Sequence, residues 1–126
     1  NRSLSQLRLL GYVINNVKFT INNTVCYCIL SQEAFKSTES KIEDVDGFTE
    51  FLRSIKNVEV SFLITEQSSN VFRVNFRSKG KYTVNDIASE LNGGGHNFAA
   101  GCKIENSNIL EIEQKIVNLL DEKMEQ

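Results

Sequence analysis

Residues 58–77 read VEVSFLITEQSSNVFRVNFR, and this stretch decides the fold class. Apolar and polar residues alternate in its first half, and a second alternating run begins at Val71 after a polar turn. Such alternation predicts two neighbouring β-strands, each with one face towards the core. Side chains two apart share a face of a strand. The polar face of the second run therefore carries Arg73, Asn75 and Arg77.

The segment before this strand pair begins with a helix signal. Ser3 and Gln6 have the spacing of a capping box, and apolar residues follow at intervals of three and four. We therefore predict an amphipathic helix over residues 1–16 that links to a preceding domain. Residues 17–126 would form the domain itself.

The next segment predicts a hairpin and a second helix. Two β-rich runs over residues 17–21 and 24–30 flank Asn22-Asn23, a pair that is typical of tight turns. Polar residues 37–44 predict a loop. Apolar residues at helical spacing between 46 and 55 predict the second helix.

The segment after the strand pair predicts a short helix, a strand and a long helix. Thr83 and Asp86 form another cap signature, and Gly93 ends the short helix. A strand over 101–104 and an amphipathic helix over 109–124 complete the chain. The predicted fold is α/β, with a small mixed β-sheet of about five strands and helices packed on it.

Length and composition indicate one ordinary globular domain. The chain has 126 residues, of which 40% are hydrophobic and 24% are charged. No apolar run is long enough to cross a membrane. Because the chain starts Asn1-Arg2-Ser3 without a methionine, we expect it to be a piece of a longer protein.

Charge and cysteine content narrow the class of partner. A net charge of -2 excludes the broad cationic field that binds long nucleic acids. Between Glu66 and Asp86, however, four basic residues occur without an acid, so a small anion can be held locally. The three cysteines have no disulfide-framework spacing, which is typical of reduced thiols in a cytoplasmic protein.

Residues 93–101 read GGGHNFAAG and contain four of the seven glycines and the only histidine. Such a string fits a backbone that approaches a ligand closely or presents its N–H groups to an oxyanion. A short helix beginning near His96 would add its N-terminal dipole. The alternative interpretation is a flexible turn with an ordinary histidine. With Arg77 on a nearby strand, we favour the anion site.

Metal and thiol sites are weaker hypotheses. Asp44 and Asp46 form the only Asp-x-Asp pair, and a loop acid with a helix N-terminal acid explains them better than a metal site. Cys26 and Cys28 would share one strand face, and adding Cys102 and His96 would make four zinc ligands, but the spacing typical of a zinc knuckle is absent. No residue pattern places a base beside a thiol. We therefore expect neither a catalytic residue nor a metal ligand in this chain.

Five short pieces of the sequence together match the pattern of one known family. The matching pieces are Phe76-Arg77-Ser78, Ile87-Ala88, Gly93-Gly94-Gly95-His96 and Ala99-Ala100-Gly101, with Leu7-Arg8-Leu9-Leu10-Gly11 at the start. The chain resembles the DHH-associated C-terminal domain of the DHH phosphoesterases. Within that family it is most similar to the bacterial bifunctional oligoribonuclease and phosphoadenosine-phosphate phosphatase branch.

The resemblance implies that catalysis and substrate binding belong to different domains. In that family an N-terminal domain carries an Asp-His-His signature and two manganese ions, and the associated domain grips the phosphate or nucleotide end of the substrate. The implied substrate-binding residues here are Arg77, Ser78, Gly93, Gly94, Gly95 and His96, with Arg73 and Asn92 as further candidates. Asn92 stands where the family has a glycine.

The resulting hypothesis is the substrate-binding domain of a cytoplasmic, manganese-dependent hydrolase that cleaves short RNA or a nucleoside bisphosphate. Its partners would be its own N-terminal catalytic domain, its substrate and a second copy in a homodimer, with no membrane involved. This part alone would not catalyse. Two alternatives stay open: an RNA-interaction module like the C-terminal domain of alanyl-tRNA synthetases, and a free-standing domain that senses a nucleotide.

Overall fold

The computed structural model describes residues 2–125, which form five α-helices, six strands and one 3-10 helix. The helices are α1 (Leu4–Asn16), α2 (Gln32–Ser37), α3 (Phe48–Arg53), α4 (Asn85–Glu90) and α5 (Ile109–Met124), and the 3-10 helix spans Ile42–Val45. The strands are β1 (Lys18–Thr20), β2 (Val25–Leu30), β3 (Val60–Ser68), β4 (Val71–Ser78), β5 (Gly94–His96) and β6 (Ala99–Glu105).

All six strands join one sheet in the order β1-β2-β3-β4-β6-β5. β2 and β3 run parallel, and every other neighbouring pair is antiparallel. The predicted mixed sheet with packed helices is confirmed. It has six strands where about five were expected, because the glycine string itself supplies β5.

The sheet buries side chains on both faces. On one face Val74, Phe76 and their neighbours pack against α4 and α5. On the other face Cys26, Cys28 and Leu63 pack against α1, α2 and α3. The predicted strand pair lies at the centre: Phe62 of β3 faces Phe76 of β4 in the register. Burying one such side chain contributes about 1.5–3 kcal/mol.

Helix α1 belongs to this core. The Ser3 hydroxyl accepts a hydrogen bond from the Gln6 N–H at 3.2 Å, as the capping spacing predicts, and Leu9 and Val13 are fully buried. The helix therefore packs on the sheet of the domain that it was predicted to precede. Its connection to an upstream domain stays a prediction. No helix within residues 2–125 combines the length and apolarity that a membrane crossing requires.

Helix α2 was not predicted. The Ser31 hydroxyl caps it by accepting a hydrogen bond from the Ala34 N–H at 3.2 Å. With six residues and two buried side chains it is too short to give a helical period. The predicted loop over 37–44 also contains the start of the 3-10 helix. There the Asp44 carboxylate accepts the Lys41 N–H at 2.8 Å, which gives this acid a local structural role.

A partly buried carboxylate links the first strands to the last helix. Glu113 on α5 accepts hydrogen bonds from the Tyr27 hydroxyl at 2.5 Å and from Lys18 Nζ at 2.9 Å. Burial alone would raise the pKa of Glu113, but these two donors outweigh it and lower the pKa below its usual value. Burial and the neighbouring carboxylate raise the pKa of Tyr27.

Replacing Glu113 by glutamine tests this link. Because the folded-state pKa is lowered, the stabilisation is present above the ordinary carboxyl pKa of about 4.3 and disappears as pH falls through the folded value. We expect Glu113→Gln to lower the free energy of unfolding by about 1–2 kcal/mol at pH 7, since Lys18 is half-exposed and adds little. Urea unfolding measures this difference.

The pH dependence separates this ionic contribution from a packing effect. The difference between wild type and Glu113→Gln should shrink as pH falls below about 4. The exposed Glu122 on the same helix offers a matched control, and Glu122→Gln should leave stability unchanged. A difference that stays constant down to pH 3 would contradict the assignment.

Candidate anion-binding groove

The glycine string folds into a β-hairpin. β5 and β6 pair antiparallel, with His96 opposite Ala99 and a two-residue turn at Asn97-Phe98 between them. The predicted helix start near His96 is wrong, because the chain reverses direction at once and continues in the sheet. His96 therefore does not begin a helix. Instead β5 is an edge strand, and an edge strand leaves alternate backbone N–H and C=O groups free of the ladder.

Two of the three consecutive glycines are required by packing. A Cβ on Gly93 would lie 2.2 Å from the Gly101 carbonyl oxygen, and one on Gly95 would lie 2.6 Å from the Ala100 Cα. Gly95 also has φ +142°, in the region that favours glycine. A Cβ on Gly94 would meet nothing within 4 Å. Packing against β6 therefore requires glycine at positions 93 and 95, independently of any ligand.

Asn92 closes the preceding helix. It adopts φ +64°, its N–H donates to the Ser89 carbonyl at 3.0 Å, and the Gly93 N–H donates to the Ala88 carbonyl at 2.8 Å. These two bonds form a Schellman motif, in which asparagine is the usual substitute for glycine. Asn92 therefore suits the left-handed conformation that this cap requires. Helix α4 ends at Glu90, three residues before the predicted stop at Gly93.

Arg77 and His96 lie in one row across three strands. Arg77 of β4 is opposite Ala99 of β6, and Ala99 is opposite His96 of β5. Cross-strand partners project to the same face, and two strand spacings separate the Arg77 and His96 Cα atoms by roughly 10 Å. Ala99 between them has only a methyl group. The structure thus brings the predicted arginine and histidine together, with His96 exposed.

A shallow groove of about 540 Å³ lies along this hairpin. It is lined by Arg53, Gly95, His96, Asn97, Phe98 and Ala99. Arg53 is the last residue of α3 and was not predicted as a site residue. Among residues 2–125 it forms no salt bridge. Its only sequence signal is the i,i+3 spacing to Glu50, which does not reveal that α3 ends beside the glycine hairpin.

Arg77 is held by α3. Its Nε donates to Glu50 Oε2 at 3.2 Å and one Nη donates to the Phe76 carbonyl at 2.8 Å. Its side chain is 23% exposed, so the interpretation as a freely solvated cation does not fit. Two of the five guanidinium N–H groups are used, and three remain for a ligand. Glu50 therefore orients Arg77 and also neutralises part of its charge.

Two other predicted candidates also lie outside the groove lining, which does not include Arg77 either. Ser78 projects to the opposite face of the sheet, where it is buried, donates to the Tyr82 carbonyl and accepts the Gly80 N–H at 3.1 Å. Its hydroxyl serves the loop after β4. Arg73 shares the face of Arg77 but lies four residues along the strand, roughly 13 Å away. The structure does not bring either residue to His96.

The three thiols do not converge on one site, and they are protonated at neutral pH. Cys26 and Cys28 share one face, as their spacing predicts, whereas Cys102 lies on the other face. Burial raises the pKa of Cys26 to about 12 and that of Cys102 to about 11. Within the described part of the chain, no group of three or more His, Cys, Asp or Glu side chains is arranged to hold a metal ion.

Comparison with known proteins gives a consistent family. The family model described as the DHHA1 domain matches residues 15–126. The chain is 27% identical, over 98% of its length, to the bifunctional oligoribonuclease and PAP phosphatase NrnA of Thermus thermophilus. It is 32% identical to the protein of the same name from Mycoplasma genitalium over 82% of its length. These matches cover 36% and 31% of the two relatives, so the chain spans about a third of their length.

A solved structure gives the same result for the fold. A crystal structure of an exopolyphosphatase-related protein from Bacteroides fragilis superposes with a TM-score of 0.81 at 31% identity. The superposition covers 94% of this chain and 36% of the other.

Adding a methyl group to the glycines tests the packing account. We expect Gly93→Ala to destabilise the protein by about 1–3 kcal/mol, because the new Cβ meets the backbone of β6. Gly94→Ala is the matched control, since its Cβ points into open space, and should change stability by less than about 0.5 kcal/mol. Thermal and urea unfolding measure both variants. Equal stability of the two would contradict the account.

Proposed function

This chain belongs to the DHHA1 domain family, and we propose that it is the substrate-binding portion of a phosphoesterase that hydrolyses short oligoribonucleotides and nucleoside bisphosphates. The names of the curated relatives support this proposal: they are bifunctional oligoribonucleases and PAP phosphatases. The chain spans about a third of their length. We therefore assign to it one function of such an enzyme, the binding of the substrate.

One observation carries the proposal. Arg77, Ala99 and His96 are register partners across three strands, and His96 lines the same groove as Arg53, which forms no salt bridge within residues 2–125. A terminal phosphate offers several oxygen acceptors, and arginine donates to them in pairs. The methyl group of Ala99 leaves space between the two polar side chains. Each cation is fixed by a regular element, since Arg53 lies on α3 and Arg77 lies on β4.

The three polar side chains take different parts in the proposed grip. Arg77, oriented by Glu50, presents its remaining N–H groups to one side of the phosphate. His96 provides a ring nitrogen from the edge strand, and Arg53 supplies a charge that no carboxylate of the described residues neutralises. Free N–H groups of the β5 edge add short-range donors.

The charge balance limits what this portion binds alone. Glu50 offsets Arg77, so the groove has a modest excess of positive charge on a chain of net charge -2. A small phosphate ligand fits such a site better than a long polyanion does. The proposal therefore assigns part of the substrate affinity to the portion of the polypeptide that carries the catalytic groups.

The proposal assigns catalysis to a separate domain with an Asp-His-His signature. Two manganese ions in that domain would activate the attacking water. The described residues of this chain include no group suited to hold such ions. Here they bind and orient the phosphate end. The proposal also takes the protein to be a cytoplasmic homodimer, and the three free, buried cysteines are consistent with a reducing compartment.

Binding of adenosine 3′,5′-bisphosphate to the intact polypeptide tests the proposal. Arg77→Ala and His96→Ala should each weaken binding by about tenfold or more, because a charge-assisted hydrogen bond contributes about 1.5–3 kcal/mol. Isothermal titration calorimetry measures the affinities. Urea unfolding of each variant checks that the fold is retained.

Arg73 provides the matched control for Arg77. It lies on the same face of the same strand, away from the groove, so Arg73→Ala should leave the affinity unchanged. Unchanged affinity in Arg77→Ala and His96→Ala would refute the assigned roles. Tight, salt-sensitive binding of tRNA in place of the bisphosphate would favour an RNA-interaction module.

A further inference from the structure

We propose that Phe98 is a stacking platform for a nucleobase of the bound substrate, so that the groove selects phosphates that carry a base. This inference deepens the proposed function and rests on it. It assigns a role to a residue that neither the motif nor the charge pattern singles out.

Phe98 has no role in the two cores. Its side chain is 44% exposed, and it belongs to neither of the buried clusters formed by the described residues. A large aromatic ring gains most from being removed from water, so an exposed ring beside polar groups is a surface available for a ligand. In the core, by contrast, the Tyr27 ring stacks on the Phe62 ring, with the ring centroids 4.4 Å apart.

The backbone of the turn is fixed although the ring is exposed. The Phe98 carbonyl accepts the Ser78 N–H at 2.9 Å, and the Asn97 carbonyl accepts the Val84 N–H at 2.7 Å. These bonds anchor the turn to β4 and to the start of α4. Since the turn is held on two sides, little conformational entropy is lost when a ligand contacts the ring. A flexible loop would not offer this advantage.

The ring lies next to the groups that would hold the phosphate. Phe98 lines the same groove as Arg53 and His96, and His96 is only two residues away across the turn. A nucleotide carries a flat base beside its charged phosphate. Stacking on an aromatic ring accepts every base, because each has a π-face, and this tolerance suits substrates of mixed sequence.

A base-free substrate is the competing occupant. The solved structure that superposes on this chain is named an exopolyphosphatase-related protein. A chain of phosphates would use the two guanidinium groups and His96 but would gain nothing from Phe98. The contribution of this ring therefore distinguishes base-bearing ligands from base-free ones.

The experiment compares two probes on the intact polypeptide. One is adenosine 3′,5′-bisphosphate, and the other is the abasic sugar 3′,5′-bisphosphate with the same phosphates and no base. We expect Phe98→Ala to weaken binding of the adenosine probe by roughly 5- to 150-fold and to change binding of the abasic probe less than about twofold. Phe98→Tyr and Phe98→Trp, which keep an aromatic face, should retain the affinity for the adenosine probe.

Phe19 is the matched control. It is also 44% exposed, and it lies on the opposite edge strand of the sheet. Phe19→Ala should bind both probes as the wild type does. The unfolding midpoint of each variant reports whether the fold is retained.

The outcomes separate the two proposals. If Phe98→Ala weakens binding of the adenosine probe alone, the stacking role is supported. If Phe98→Ala weakens binding of both probes equally, or of neither, the stacking role is refuted, whereas the proposed binding of the phosphate is unaffected. A wild-type protein that binds neither probe overturns both the proposed function and the stacking role.

Discussion

The close approach of β5 to the backbone of β6 is the constraint on which the site depends. At Gly93 and Gly95 there is no room for a side chain, because atoms of β6 occupy the positions that a Cβ would take. This contact places the edge strand in register, and the register in turn aligns His96 with Ala99 and Arg77. The glycines thus act first on the geometry of the sheet, and any ligand meets the surface that this geometry creates.

Much of the fold could be predicted from local pattern. Alternation over residues 58–77 identified the central strands, and the capping-box spacing of Ser3 and Gln6 marks a helix start that the structure retains. Helix α2 was missed because six residues carry no period, and β5 was missed because glycines have no apolar pattern. Local pattern therefore succeeds where side chains repeat with a period.

The candidate site could be predicted only where residues of distinctive chemistry lie close together in the sequence. The motif pointed to His96 and Arg77, whose binding roles stay predictions, whereas Arg53 lies in the groove because α3 packs on the sheet. Ser78 does not lie beside the groove, because a strand sends adjacent residues to opposite faces, whereas a motif groups them together. The role of Glu50 as the partner of Arg77 is likewise tertiary, since 27 residues separate the two.

The opposite directions of Arg77 and Ser78 carry a consequence for how this strand can vary. With a side-chain period of two, the loss or gain of one residue between Val71 and Arg77 would exchange the contents of the two sheet faces. The guanidinium would then enter the apolar layer under α5, and a phenylalanine would project beside α3. We therefore expect length changes to be tolerated in the connections at either end of β4 and not within the strand.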